Sequence, residues 1–474
     1  MSTKPGQINI SIMKKKAFVI TSLVLLFTAM GGFAQTSDTR YAMNLEDVLL
    51  EAQQRYGIQI KYSAKDVEGK VLDYALWRFR PDVEKTLDNI LTPFDFYAQK
   101  QSDSVYKVQQ YRYHVLSVEE GKEKLDYLSG LYSDRESWEA RASELRNCID
   151  DVLGLDRLPP SPGTKPIVGK IRKMDGYTVQ NVALETLPGL YLCGSVYRPA
   201  KYKGKLPVIL CPNGHGSTGR YHPDMQRRCA ALARMGAMVV NYDKFAYGES
   251  LLQFEPRDHS TSMAMRIQAM NSRKMLDYML SLPEADPNNV GMTGASGGGS
   301  ETMLTSAMDP RVTVSVPVVM MSVIHSGGCP CESGLPVHLC GDGTTNVEIA
   351  AMFAPKPQLI ITDGGDWTAN VPWLEFPHVQ RIYGFYGAEG DVLNAHFPDG
   401  HHDYIFEKRV PMYGFMADHL GLDIKKIQNK EGEIVEYFVT IEDPEAMKVF
   451  GKDGEYLPEN AIRSFEELEK LLEK

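Results

Sequence analysis

Seven cysteines in 474 residues are too few for a disulfide-built scaffold. Long apolar runs are also missing. The most pronounced, Ala17 to Met30, is too short for a comfortable membrane span, and no cysteine follows it to carry a lipid anchor. Basic charge is in deficit: 51 Lys and Arg face 61 Asp and Glu, for a net charge of −10. No basic run stands outside the N-terminus, which argues against nucleic acid as a partner. Neither H-E-x-x-H nor a comparable ligand spacing marks a metal site, and no motif asks for a cofactor. Cys329, Cys331 and Cys340 cluster in sequence. They read either as a disulfide from Cys340 to one of the other two or as packed thiols, and a zinc site lacks an evident fourth ligand.

What is present divides the chain. A hydrophobic content of 43% supports sizeable cores, and the length predicts more than one domain. Met13-Lys14-Lys15-Lys16 ahead of the apolar stretch, with Gly32-Phe33-Ala34 at a cleavage position, reads as a signal peptide over 1–34. The expectation is an exported protein, periplasmic or secreted. Residues 36–112 hold two helix–strand patterns. Leu45, Val48, Leu49, Ala52 and Tyr56 recur at helical spacing before alternating Ile58 to Tyr62; Val83, Leu87, Ile90 and Leu91 do so before alternating Ser104 to Val108. Residues 113–163 read as a charged helical linker ending in the break Leu158 to Gly163. From 164 to 474 strand and helix patterns alternate until about Leu422, which predicts the α/β class with a doubly wound, mostly parallel sheet. A C-terminal extension adds a strand pattern at Val435 to Ile441 and a helix at Ser464 to Leu472.

Within that region Gly294-Ala295-Ser296-Gly297-Gly298 spells G-x-S-x-G between an apolar strand and a helix. Glycines on both sides of the serine permit the sharp turn that exposes a nucleophile above the end of a sheet, as in an α/β-hydrolase. That layout asks for an acid and then a histidine on later loops. Asp366, two glycines beyond the strand Gln358 to Thr362, is preferred to Asp363 at the strand end; His401 or His402 follows the strand Val392 to Phe397. A serine hydroxyl needs a neutral imidazole to take its proton, and a carboxylate to fix the imidazole's tautomer. The oxyanion calls for two backbone donors, Gly297 N–H and, from the loop after Leu206 to Cys211, His215 N–H. Acyl transfer to water is as far as these residues reach.

Resemblance carries the reading further. Gly291 to Gly299, Gly328-Cys329-Pro330-Cys331-Glu332, Asp363 to Thr368 and His402-Asp403-Tyr404 resemble secreted bacterial α/β-hydrolase carbohydrate esterases of the acetyl xylan esterase type, and more closely a branch of pectin methylesterases from gut Bacteroides-like bacteria. The resemblance spans about 160 to 450. It implies His402 as the catalytic imidazole, since that histidine precedes Asp-Tyr, and leaves His401 where the family has glycine. It also implies a plant cell-wall oligosaccharide as substrate, most specifically a methyl galacturonate ester; by their loops, His401, Arg220 and Lys244 are the substrate-binding candidates, and no metal or cofactor is expected. Residues 36–112 resemble, in pattern, the short N-terminal module of secretins and TonB-dependent receptors, which implies a protein contact. An acetyl esterase, a serine peptidase of related fold and a non-catalytic binding or signalling protein are the alternative readings.

Overall fold

A computed structural model describes residues 41–72, 74–94, 96–110, 115–216, 218–325 and 329–472. The expected signal peptide lies outside them. Among the described residues no helix is long and apolar enough to cross a membrane. The chain divides into two compact units, one ending at Ile90 and the other beginning at Leu91.

In the first unit the helix Leu45–Tyr56 buries Leu45, Val48, Leu49 and Ala52, and Gly57 ends it in the left-handed conformation at φ 65°. Met43–Asn44 pairs antiparallel with Val71–Leu72. Tyr41, Tyr74 and Trp77 cluster with ring centroids 5.2–5.7 Å apart, and Trp77 is 64% exposed.

The second unit is built on a ten-stranded sheet. Its strands are β1 (Ile167–Val168), β2 (Arg172–Lys173), β3 (Tyr177–Leu187), β4 (Leu190–Pro199), β5 (Leu206–Pro212), β6 (Met238–Tyr242), β7 (Ala285–Ala295), β8 (Val314–Val318), β9 (Gln358–Asp363) and β10 (Val392–Phe397). They lie in the order β10-β9-β8-β7-β5-β6-β4-β3-β1, with β2 also on β3. Pairing is parallel from β6 through β5 to β10 and antiparallel from β4 outward through β3 to β1 and β2. This is the α/β-hydrolase order. The chain leaves β5 through α3 (Pro223–Met235) to β6 on one side, then crosses through α4 (Met263–Ser281) to β7 on the other. The resulting switch point opens a crevice at the carboxyl ends of β5 and β7. Strands such as β6 and β8 are buried along their whole length, as parallel strands covered on both faces must be.

Of residues 113–163, expected as a helical linker, those described form α1 (Val118–Ser129) and α2 (Arg135–Leu153) and pack into the body. Trp138, Leu145, Ile149 and Leu153 share one core with Met303 and Leu304 of α5 (Gly297–Met308) and Val347 and Ile349 of α6 (Asn346–Ala351). Buried Arg141 meets fully buried Glu348 at 3.0 Å. Cys148 of α2 forms a disulfide with Cys340, 192 residues away. The expectation that Cys340 pairs with Cys329 or Cys331 is therefore corrected: both are free and buried. Helix α2 carries the sulfur that reaches Cys340, a contact between segments that local spacing does not show.

The extension past α7 (Phe406–Leu420) wraps the body. Val435 to Ile441 forms no strand; Phe438 packs into the core, Val439 packs against it, and Arg409 and Tyr413 hold Glu436. Further on, Ile462 and, from α8 (Phe465–Leu472), Leu468 pack with Phe245, Phe254, Cys329 and Cys331, beneath the loops of the crevice.

Candidate active site

Strand β7 ends at Ala295 and α5 starts at Gly297, so Ser296 alone makes the turn, at φ 56° and ψ −127°. A non-glycine residue in that region is strained, and it persists only where its surroundings impose it. Backbone contacts do so here: Ser296 N–H donates to Val318 O at 3.1 Å, and its carbonyl accepts from Ser300 at 3.0 Å. The flanking glycines are sterically required. A Cβ on Gly294 would lie 2.5 Å from Gly298 O, and one on Gly297 would lie 2.6 Å from His215 Cε1. Gly297 holds the first helical position, where helix geometry leaves an N–H without an internal acceptor. The loop after β5 comes close as well: a Cβ on Gly214 would sit 3.4 Å from Ser296 Cβ.

The loop after β9 carries Asp366, and the one after β10 carries His402. Asp366 Oδ2 lies 2.6 Å from His402 Nδ1, while Oδ1 accepts from Thr368 N–H and Oγ1, each at 2.6 Å. A carboxylate can only accept, so His402 Nδ1 carries the proton and its Nε2 keeps a lone pair when neutral. Burial pushes the Asp366 carboxyl up, but the hydrogen bonds from His402 and Thr368 outweigh it and hold the pKa below the ordinary aspartate value. Trp367 packs on the His402 ring with centroids 4.4 Å apart, and its indole stacks on His325 at 3.8 Å. Burial lowers the His325 pKa to about 4. Asp363 is occupied elsewhere, fully buried and 2.6 Å from Lys408 Nζ.

Ser296 and His402 line one cavity of about 660 Å³, together with His215, Tyr247, Arg228 and Glu332. Ser296 Oγ donates to Glu332 Oε1 at 2.8 Å, and the same oxygen lies 3.0 Å from His215 Nδ1. Burial would raise the Glu332 pKa; His215, the Ser296 hydroxyl and Lys244 together hold it well below the usual carboxylate range. Glu332 gave no sign of this role in sequence, because its contact depends on how residues 329–332 fold back over the turn.

The substrate-binding expectations are corrected at two positions, Arg220 and Lys244. Arg220 is fully buried, with Asp243 at 3.1 Å and Glu249 and Met447 O as further partners. Lys244 is buried under the turn, its Nζ 3.6 Å from Glu301 Oε2. His401 is exposed but absent from the cavity wall, and its carbonyl accepts from Lys408. Proximity in sequence to a site loop does not decide exposure: the fold turns Arg220 and Lys244 inward. Arg228 of α3 takes the wall position instead. It is fully buried, its guanidinium lies 4.5 Å from the Tyr404 ring centroid, and its Nε and Nη1 have no hydrogen-bond partner among the described residues.

A solved structure described as Methylesterase BT1017 is 49% identical to this chain, with a TM-score of 0.73 over 92% of this chain and 97% of that one. The chain belongs to that carbohydrate-esterase family. It is a carboxylic ester hydrolase of the α/β-hydrolase fold. Acetyl esterase Axe7A of Xylanibacter ruminicola is 25% identical to the esterase over 173 residues, spanning 32% of this chain and only 38% of that protein. No profile of a known protein family matches the sequence.

Proposed function

We propose that the esterase removes methyl groups from methyl-esterified uronic acids in pectic oligosaccharides, with Ser296 as nucleophile, His402 as base and Asp366 as the group that orients it. The observation that carries this reading is the strained Ser296 turn opening on the same cavity as the Asp366–His402 couple. In the resting site the Ser296 hydroxyl is held by Glu332. Rotation about its side-chain bond frees it to pass its proton to His402 Nε2 as Oγ attacks the ester carbonyl. Gly297 N–H and His215 N–H receive the oxyanion. Collapse of the tetrahedral intermediate expels methanol, protonated by His402, and leaves a uronyl ester on Ser296. Water, deprotonated by His402, then releases the uronate.

Two features favour an acidic sugar. The 49% identical relative is a methylesterase, and Arg228 brings to the cavity wall a buried guanidinium whose Nη2 meets Met225 Sδ and which has no carboxylate partner among the described residues. A free uronate beside the ester under attack is the complement such a group requires. Removal of acetyl groups is the rival, favoured by the acetyl esterase match. The disulfide between Cys148 and Cys340 supports action outside the cytoplasm, and residues 36–112 supply a module for contact with another protein. Methanol and acetate measured on one digest of methylated and acetylated pectic oligosaccharides test the substrate. Methanol release abolished by Ser296→Ala is the expected result; acetate release without methanol would replace the methylesterase reading with a deacetylase.

A further inference from the structure

Beside the Ser296 turn, four side chains without a part in acyl transfer converge, three of which, His215, His259 and Cys329, line the same cavity. His215 comes from the loop after β5, His259 from the turn Pro256–Ser260, and Cys329 and Cys331 flank Pro330. His215 Nε2 lies 2.8 Å from His259 Nε2 and 3.2 Å from each sulfur; His259 Nε2 lies 3.1 Å from Cys331 Sγ and 3.4 Å from Cys329 Sγ; the sulfurs are 2.8 Å apart. His259 and both cysteines are buried.

The outer nitrogens explain why this is more than a polar contact. His259 Nδ1 lies 2.8 Å from Phe245 O, an acceptor, and so carries the proton; His215 Nδ1 faces the Glu332 carboxylate at 3.0 Å and does the same. Both imidazoles, anchored through Nδ1, therefore turn Nε2 toward each other and toward two cysteine sulfurs. Two imidazole nitrogens and two sulfurs converging on one buried point form the donor set that a borderline-soft cation takes. A carbonyl or carboxylate anchoring the far nitrogen is also how metal-binding histidines are held.

We propose that His215 Nε2, His259 Nε2, Cys329 Sγ and Cys331 Sγ bind one divalent metal ion of the zinc class. Two imidazoles and two thiolates make the tetrahedral set that zinc prefers, and all four donor atoms lie within 4.8 Å of one another. Bond lengths of about 2.0–2.3 Å place such donors roughly 3.3–3.8 Å apart, so the cage needs to open by less than about 1 Å. Binding displaces two thiol protons to solvent, leaving two thiolates to balance the dication. Four protein ligands leave no place for a reactive water, which makes the ion a positioning element. It ties together three segments at the cavity: the loop bearing His215 N–H, the turn with His259 and the stretch ending in Glu332, whose carboxylate joins His215 to the Ser296 hydroxyl. Metal binding stands apart from the substrate assignment; the positioning role rests on Ser296 as nucleophile. The other convergent group, Cys193, Asp243 and Glu249, already surrounds the Arg220 guanidinium and carries no such inference.

Elemental analysis of the full chain, purified without chelator, tests the site. One zinc per chain is expected, absent from a Cys329→Ser, Cys331→Ser double variant. Because that variant could misfold, the wild-type chain stripped by a strong chelator is also titrated with cobalt(II). Visible bands of tetrahedral cobalt with thiolate-to-metal charge transfer are expected. A metal-free chain that gives no such bands, or a Cys329–Cys331 disulfide found by peptide mass spectrometry, would overturn the site. Stripping should lower kcat for a neutral aryl ester far more than it alters KM, and zinc should restore it. Full activity in the stripped chain would overturn the positioning role, with the binding site itself still decided by the cobalt titration.

Discussion

Removing residues 1–163 should destroy the esterase, whereas removing residues 1–112 should leave a folded and active chain. The difference lies in α1 and α2. Leu125, Leu128, Trp138, Leu145, Ile149 and Leu153 are each at most 4% exposed. Burying a large apolar side chain stabilises by about 1.5–3 kcal/mol, so together they represent on the order of 10 kcal/mol. Losing Arg141 strands the buried Glu348 carboxylate, a change that typically costs about 3–5 kcal/mol. The Cys148–Cys340 link spans 192 residues, and the chain-entropy estimate for closing such a loop is about 5 kcal/mol. Set against a net stability of about 5–15 kcal/mol for a typical domain, even half of this loss unfolds the body. Soluble yield, circular-dichroism melting and aryl ester hydrolysis, compared for the two truncated chains, give the measurement. A chain beginning at residue 164 that melts with the full-length protein and keeps its kcat would refute the claim that these helices are part of the catalytic body.

Three further outcomes follow from the geometry around the cavity and the α1 contact. Ser296→Ala should lower kcat by about 10³-fold or more at an unchanged melting temperature, and His402→Ala should approach it while His401→Ala stays milder; the opposite order of the histidine variants would move the base role to His401. Gly297→Ala should cost at least about tenfold in kcat, because the added methyl meets His215 Cε1 at 2.6 Å and Lys244 Nζ at 3.0 Å; wild-type kinetics would show that the turn can give way. His378 sits between Ser129 Oγ at 3.0 Å and Tyr132 OH at 2.8 Å, and burial, with a smaller contribution from Arg381, lowers its pKa to about 4. An unfolded imidazole titrates near about 6.5, so the unfolded chain binds more protons between these values. The His378 contribution is complete above about pH 6.5 and is lost as pH falls toward about 4. His378→Gln should therefore lose less stability than wild type from pH 7 to pH 5, by about 2 kcal/mol in denaturant unfolding. An unchanged slope would rule out His378, and part of the slope should persist because burial also lowers the His325 pKa.

How much of this was legible in the sequence depended on whether the signal was local. Strand β7, the turn at Ser296 and helix α5 were readable because an apolar run, a glycine-flanked serine and a helical pattern occupy consecutive residues. The loops with Asp366 and His402 were readable because each follows such a strand directly. Chain order then placed them on one edge of the sheet. Residues whose role arises from convergence were not readable. Arg220 and Arg228 are both arginines near the loop after β5, and nothing in their neighbours tells that Asp243 and Glu249 draw the first inward while α3 turns the second to the cavity. Val435 to Ile441 alternates as a strand would, but a strand needs a partner edge, and here Arg409 and the core hold the segment by its side chains. The cysteines show the same division. Cys329 and Cys331 announce themselves as a pair, while their partners His215 and His259 lie 114 and 70 residues from Cys329, and Cys340 joins a helix that reads in sequence as part of a charged linker. A four-ligand site assembled from three loops has no spacing rule to betray it. The fold creates it, in the same loops that surround Ser296, so the side chains least visible in sequence are those that hold the most visible one in place.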